Sequence, residues 1–228
     1  MGYVDPETEE IITLELDGEE IQNSFVVDEQ GAFIISDYAL YAFEYDEESK
    51  RIIELWRYPY ERASSAKPGS ITLGSGTTPT LIGESFIAFA NNASSQIEIV
   101  VLNGRTSESP SLVCTEKVFR PGESATENTL IGIGNSVIVE NNFGYDLFTT
   151  MMFGKTGVGG LTRVDFYPKS ESCQTVWENP IISQTTVPKL SAETGLIYVY
   201  SKDPDARFGT DAYYLRTAVQ KSATVAAG

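Results

Sequence analysis

Apolar residues in this chain come in short bursts of β-branched and aromatic side chains rather than at helical spacing. Phe33-Ile34-Ile35, Phe86-Ile87-Ala88-Phe89, Val137-Ile138-Val139 and Leu196-Ile197-Tyr198-Val199-Tyr200 are continuous runs of this kind. Such runs suit strands buried on both faces. Each is preceded by a related segment: Gln22-Asn23-Ser24-Phe25-Val26, Thr77-Thr78-Pro79-Thr80-Leu81, Thr126-Glu127-Asn128-Thr129-Leu130 and Thr186-Val187-Pro188-Lys189-Leu190. The last three share Thr-x-x-x-Leu, and the four begin at 22, 77, 126 and 186, in steps of 55, 49 and 60 residues. Short turns at Asp28–Gly31, Gly83-Glu84, Gly132–Asn135 and Ala192–Gly195 join each segment to its apolar run, which predicts hairpins whose first strand is the Thr-x-x-x-Leu segment.

A third strand is predicted in every unit, at 39–44, 97–102, 161–166 and 212–215. A polar turn and a fourth strand follow at 52–56, 112–115 and 175–177. Four antiparallel strands recurring in roughly 40–60 residues describe a propeller blade. The expected fold is therefore an all-β β-propeller with about four blades in units 21–60, 74–119, 125–180 and 184–225, forming a single propeller domain or propeller fragment. Residues 2–16 read as the last two strands of a preceding blade, and a partial arc of a larger propeller is the favoured arrangement. No amphipathic helix is predicted.

The first unit carries a more specific pattern. Leu40, Tyr41, Ala42 and Phe43, with Trp56 ending the fourth strand, resemble the repeat of PQQ-like (quinoprotein alcohol dehydrogenase-like) β-propellers. Glu47-Glu48-Ser49 stands where that repeat has a Thr-Gly turn, and Val164-Asp165-Phe166 with Trp177 echo the pattern in the third unit. The resemblance implies the propeller fold. Dehydrogenases of that family use an eight-bladed ring, an adjacent cysteine pair and an Asp/Glu/Asn calcium site, and this chain has no vicinal cysteines. Other members are binding or scaffold proteins, since fold alone does not decide activity.

Charge and composition narrow the functions further. With 32 acidic against 16 basic residues, a formal −16, the chain lacks the positive footprint needed for nucleic acid or anionic membrane. No apolar stretch approaches the ~20 residues of a membrane span. The complete lack of histidine removes Ser-His-Asp and Cys-His catalysis and histidine metal ligation. Gly154-Lys155-Thr156 has Thr149 where a phosphate loop needs glycine, and the Asp203–Asp211 run has Phe208 where a calcium loop needs one. Cys114 and Cys173 fall at similar places in neighbouring units and are a candidate disulfide, which would favour a periplasmic or extracellular setting. Asn92-Ala93-Ser94 is a glycosylation sequon.

In a propeller the start of strand one and the end of strand two meet at one mouth of the central channel. The polar residues at those points are the candidate site. Thr78, Asn92, Glu127, Asn128, Asn142, Lys189 and Lys202 are the candidate ligand-binding residues, with Asp37, Asn91, Glu140 and Asn141 at related positions. Carboxylate and carboxamide oxygens suit a hard cation, so Glu127 and Asn142 are candidate calcium ligands. The expected function is a non-catalytic binding or scaffold propeller that holds Ca2+ or a polar small molecule at that mouth. The alternative is a propeller enzyme, either a quinone-dependent dehydrogenase or a metal-assisted lactonase-type hydrolase. The third unit also carries a long insert, 142–160, rich in Phe, Met and Gly. It reads as a lid, a docking surface for a protein partner, or a plug against a neighbouring blade.

Overall fold

The computed structural model describes residues 1–106, 109–153, 155–183, 187–201 and 214–216. Seventeen strands and one helix are present among them. A hairpin of β1 (Gly2–Val4) and β2 (Ile11–Thr13) comes first. Three four-stranded antiparallel sheets follow, each in simple chain order. They are β3 (Val26–Asp28), β4 (Gly31–Ile35), β5 (Ala39–Asp46) and β6 (Arg51–Pro59); β7 (Thr80–Ile82), β8 (Phe86–Ala90), β9 (Glu98–Asn103) and β10 (Ser111–Lys117); and β11 (Ile131–Ile133), β12 (Ser136–Glu140), β13 (Leu161–Tyr167) and β14 (Ser172–Asn179). A last sheet holds β15 (Lys189–Ser191), β16 (Leu196–Ser201) and β17 (Tyr214–Arg216). The helix α1 (Leu147–Phe153) lies in the insert between β12 and β13. The sheets are the blades of a β-propeller arc, and they are numbered one to four below from the β3 sheet onward.

Each seam between blades has its own core, because the inner strands are apolar on both faces. Phe33, Ile35 and Trp56 of blade one pack on Ile87, Phe89 and Leu102 of blade two. Ala88, Ile99 and Val101 on the other face of blade two meet Val137, Val139, Val164 and Phe166 of blade three. Ile138 and Leu161 then face Ile197 and Val199 of blade four. The first face of blade one is covered over its outer strands by the β1–β2 hairpin, with Tyr3 stacked on Tyr45 at 3.9 Å. Its inner strands are left bordering an apolar groove of about 610 Å3 that includes Phe25, Val27 and Ile34.

The first strands begin later than expected. Thr-x-x-x-Leu was placed inside strand one, yet β7 begins at Thr80, β11 at Ile131 and β15 at Lys189. Thr77 and Thr126 precede the strands instead. Thr77 is fully buried, and its hydroxyl accepts the Ala90 N–H at the far end of the hairpin. A side-chain oxygen there replaces a ladder bond that the turning backbone cannot supply.

The helix is the second departure. Asp146 caps it, its carboxylate accepting the Thr149 N–H at 2.7 Å, so seven residues suffice for two turns. Seven residues are too few for an amphipathic period to show in the sequence. None of its residues is buried, so the insert does not plug a neighbouring blade through α1.

Candidate functional site

The segment between β6 and β7, residues 60–79, determines what the mouth residues do. It does not leave one blade and enter the next directly. It runs as a strap over the strand-two ends of blades one, two and three. At blade one, Gly74 packs so closely on Asp37 that an added Cβ would lie 2.3 Å from the Asp37 Cα. At blade two, the Asn92 amide nitrogen donates to the Thr72 and Leu73 carbonyls at 3.1 and 3.3 Å. At blade three, the Ile71 N–H donates to the Glu127 carboxylate at 3.0 Å, and Gly144 N–H donates to the Pro68 carbonyl at 2.9 Å. Lys67 reaches down to the Ala93 and Ser124 carbonyls, and its partial burial lowers its ammonium to about 8.

Glycine makes the passage possible. Gly69 has φ +92° and would place a Cβ 2.2 Å from the Asn142 carbonyl oxygen. Gly76 would place one 2.3 Å from the Thr126 carbonyl oxygen. Neither backbone oxygen can move aside without disrupting blade three, so only glycine fits.

Four of the expected site residues come together under this strap. The Asn142 side-chain oxygen accepts the Glu127 N–H at 2.9 Å. The Asn128 amide donates to Glu140 Oε2 at 2.5 Å. Neighbouring Asn141 is saturated, its oxygen accepting from Ala125 and Phe143 and its nitrogen donating to Glu123 and Gly159. Burial pushes the Glu127 carboxyl up to about 7, against the opposing bond from Ile71. Burial acts harder on Glu140, which is 2% exposed and pushed up to about 9 despite the Asn128 bond. Burial therefore favours the neutral form of Glu140.

The remaining candidates are elsewhere. Asn92 joins the group only through the strap. Thr78 is half-buried ahead of β7, and Lys189 is exposed at the start of β15. Lys202 and Asp203–Asp211 lie outside the described residues. Burial of Asn92 also closes its glycosylation sequon in the folded chain, since the nitrogen that would carry the sugar is donated to the strap.

Calcium takes six to eight oxygen ligands, more than the side chains of Glu127 and Asn142 can supply between them. The Asn142 oxygen is already an acceptor, and its other amide atom, Nδ2, is a buried donor without a partner. Among the described residues no group of three or more Asp, Glu, Cys or His is placed to hold a metal ion. Cys114 and Cys173 are bonded to each other, Cα atoms 5.6 Å apart, and tie β10 of blade two to β14 of blade three.

Sequence reasoning missed the strap. Its signal was three glycines and a Lys-Pro pair in a Ser/Thr-rich stretch, Lys67-Pro68-Gly69 through Gly76, which reads locally as an ordinary loop.

Comparison with known proteins supports the architecture. No family model matches the chain. No curated protein matches its sequence. Among solved structures, a europium-containing methanol dehydrogenase superposes with a TM-score of 0.55 at 13% identity, over 88% of this chain. The chain spans 40% of that neighbour's length. At this identity the likeness establishes fold alone: a β-propeller, present here as an arc.

Proposed function

We propose that the chain is a binding or scaffold segment of a propeller and not a catalyst. One observation carries this reading. The polar side chains at this end of blades two and three are engaged within the protein: Asn92 and Glu127 bond the strap, Asn142 bonds the Glu127 N–H, Asn128 bonds Glu140, and Asn141 bonds the backbone around it. A catalytic or metal-binding mouth needs such groups free to meet substrate. The dehydrogenase and lactonase-type readings require Glu127 and Asn142 to share a cation, and their bonding opposes this.

What the chain presents instead is α1. Leu147, Phe148, Met151, Met152 and Phe153 are all at least half exposed. Flexible Met side chains beside aromatic anchors are the composition of a protein-docking surface. The Cys114–Cys173 bond supports a periplasmic or extracellular setting for that docking.

Thermal unfolding in the presence of calcium, EDTA or added quinone cofactor tests the reading. The scaffold assignment predicts the same midpoint in all three. A ligand that binds the native state raises the midpoint by mass action. A rise with calcium that EDTA reverses, or a rise with the quinone, would overturn the assignment.

A further inference from the structure

A second polar recess lies away from the strap, where blades two and three part at the end of their outer strands. Lower down, these blades are held together by the Cys114–Cys173 bond and by Glu116, whose carboxylate accepts from both the backbone and the hydroxyl of Thr175 at 3.0 and 2.8 Å. Above this seam a cavity of about 350 Å3 opens between Phe119 and Arg120 of blade two and Thr162 and Glu178 of blade three, with Val158 of the insert at one side.

Two features distinguish it from an ordinary surface dent. The first is Thr162. Its partners in register are Val139 and Glu178, so its side chain shares their face of the blade, and Val139 belongs to the core against blade two. Thr162 is 1% exposed, and its hydroxyl has no hydrogen-bond partner in the protein. A buried hydroxyl left unpaired is destabilising, and a ligand atom that pairs with it relieves that cost. The second is the backbone of Phe119, whose φ of +66° is an outlier for a bulky residue. Such strain concentrates at binding sites.

The walls also carry opposite charges. Arg120 is 82% exposed along its side chain, and its ion pair with Glu123 is loose at 3.9 Å. Glu178 would face away from blade two in a regular strand. The bulge between Arg163 and Val164 drops Val176 out of register, so Glu178 comes to lie opposite Thr162 and on the blade-two side.

We propose that this recess binds a free α-amino acid. The carboxylate meets the Arg120 guanidinium, the ammonium meets Glu178, and the side chain lies against Phe119 and Val158. Thr162 supplies the hydroxyl at the floor, which turns toward the ligand when the site fills. A zwitterion also suits a protein of net charge −16 better than a simple anion does, because it carries no net charge to be repelled. The volume is at the small end for ligand sites, which run about 300–1,000 Å3.

Calorimetric titration of the full chain with a panel of amino acids from glycine to phenylalanine tests this. Matched amino alcohols, which lack the carboxylate, and N-acetyl amino acids, which lack the ammonium, form separate arms. At least one amino acid should bind saturably, with both analogue classes weaker by about tenfold or more. Arg120→Gln and Glu178→Gln should each weaken binding by about tenfold without lowering the melting midpoint, since both side chains are exposed. Thr162→Val should weaken binding while leaving the midpoint unchanged or raised. Binding equal in wild type and the Arg120 and Glu178 variants would overturn the proposal. So would failure of every amino acid to bind, or binding of neutral sugars in their place.

Discussion

Glu140 shows most plainly how one residue sets a property of the molecule. It sits at the end of β12, almost fully buried, with one oxygen bonded to Asn128 and the other without a partner. Burial raises its carboxyl to about 9, and that of Glu127 to about 7. The folded state therefore keeps protons that the unfolded chain releases near pH 4.5. Stability from these groups is fully present below that pH and is lost as pH rises, through about 7 for Glu127 and about 9 for Glu140. Lys67 works in the opposite sense above about 8, so the effect is cleanest between roughly pH 5 and 8. Glu140→Gln, a neutral isostere, should flatten the fall in melting midpoint across that window; a fall as steep as wild type would show that Glu140 is not the cause. Asn142 makes a separate prediction. Asn142→Ala removes the acceptor of the half-buried Glu127 N–H and should cost about 1 kcal/mol in denaturant unfolding.

At the scale of elements, the strands were legible and the strap and helix were not. Continuous apolar runs such as Phe86-Ile87-Ala88-Phe89 mark a strand because both faces are buried, and β8 lies there at Phe86–Ala90. The start of strand one was misplaced because the threonine that looks like ordinary strand chemistry is a side-chain acceptor for the hairpin end, as Thr77 is for Ala90. The strap left no readable period because its order comes from contacts with three blades and not from its own sequence. Those contacts give it a sharp dependence on glycine. Gly76→Ala should destabilise the protein by about 1–3 kcal/mol, the usual cost of overpacking, whereas alanine at exposed Gly2, where an added Cβ would meet nothing closer than 3.5 Å, should cost far less. For α1 the expectation runs the other way. Phe148→Asp together with Met152→Glu should leave the melting midpoint unchanged, because neither side chain is buried; a drop would mean that α1 packs on the protein in solution.

Across the whole molecule, stability lies in the seams between blades. The blade pattern, its antiparallel order and the partial arc could be read from spacing and from the Leu40–Trp56 match. The candidate site could be read only as a list of polar residues near one end. Glu127, Asn128, Glu140 and Asn142 do meet, but whether such residues face a ligand or each other depends on a linker more than 50 residues away in sequence from Glu127. The blade two–blade three seam is the only one closed covalently among the described residues, by a bond between residues 59 apart. Reducing it, or replacing both cysteines with serine, should cost about 2–4 kcal/mol of unfolding free energy.

The central claim is that the channel-mouth polar groups are structural, fastened beneath the strap. Native-state hydrogen exchange tests this residue by residue. The Glu127 and Asn142 amides should exchange as slowly as those of β8 and β12, since the Asn142 side-chain oxygen and the Ala125 carbonyl hold them. The more exposed Ile71 amide, held by Glu127, should still exchange more slowly than an open loop. Exchange of these amides at the rate of an open loop, while β8 and β12 stay protected, would contradict it and return Glu127 and Asn142 to the solvent-facing mouth that a ligand site requires.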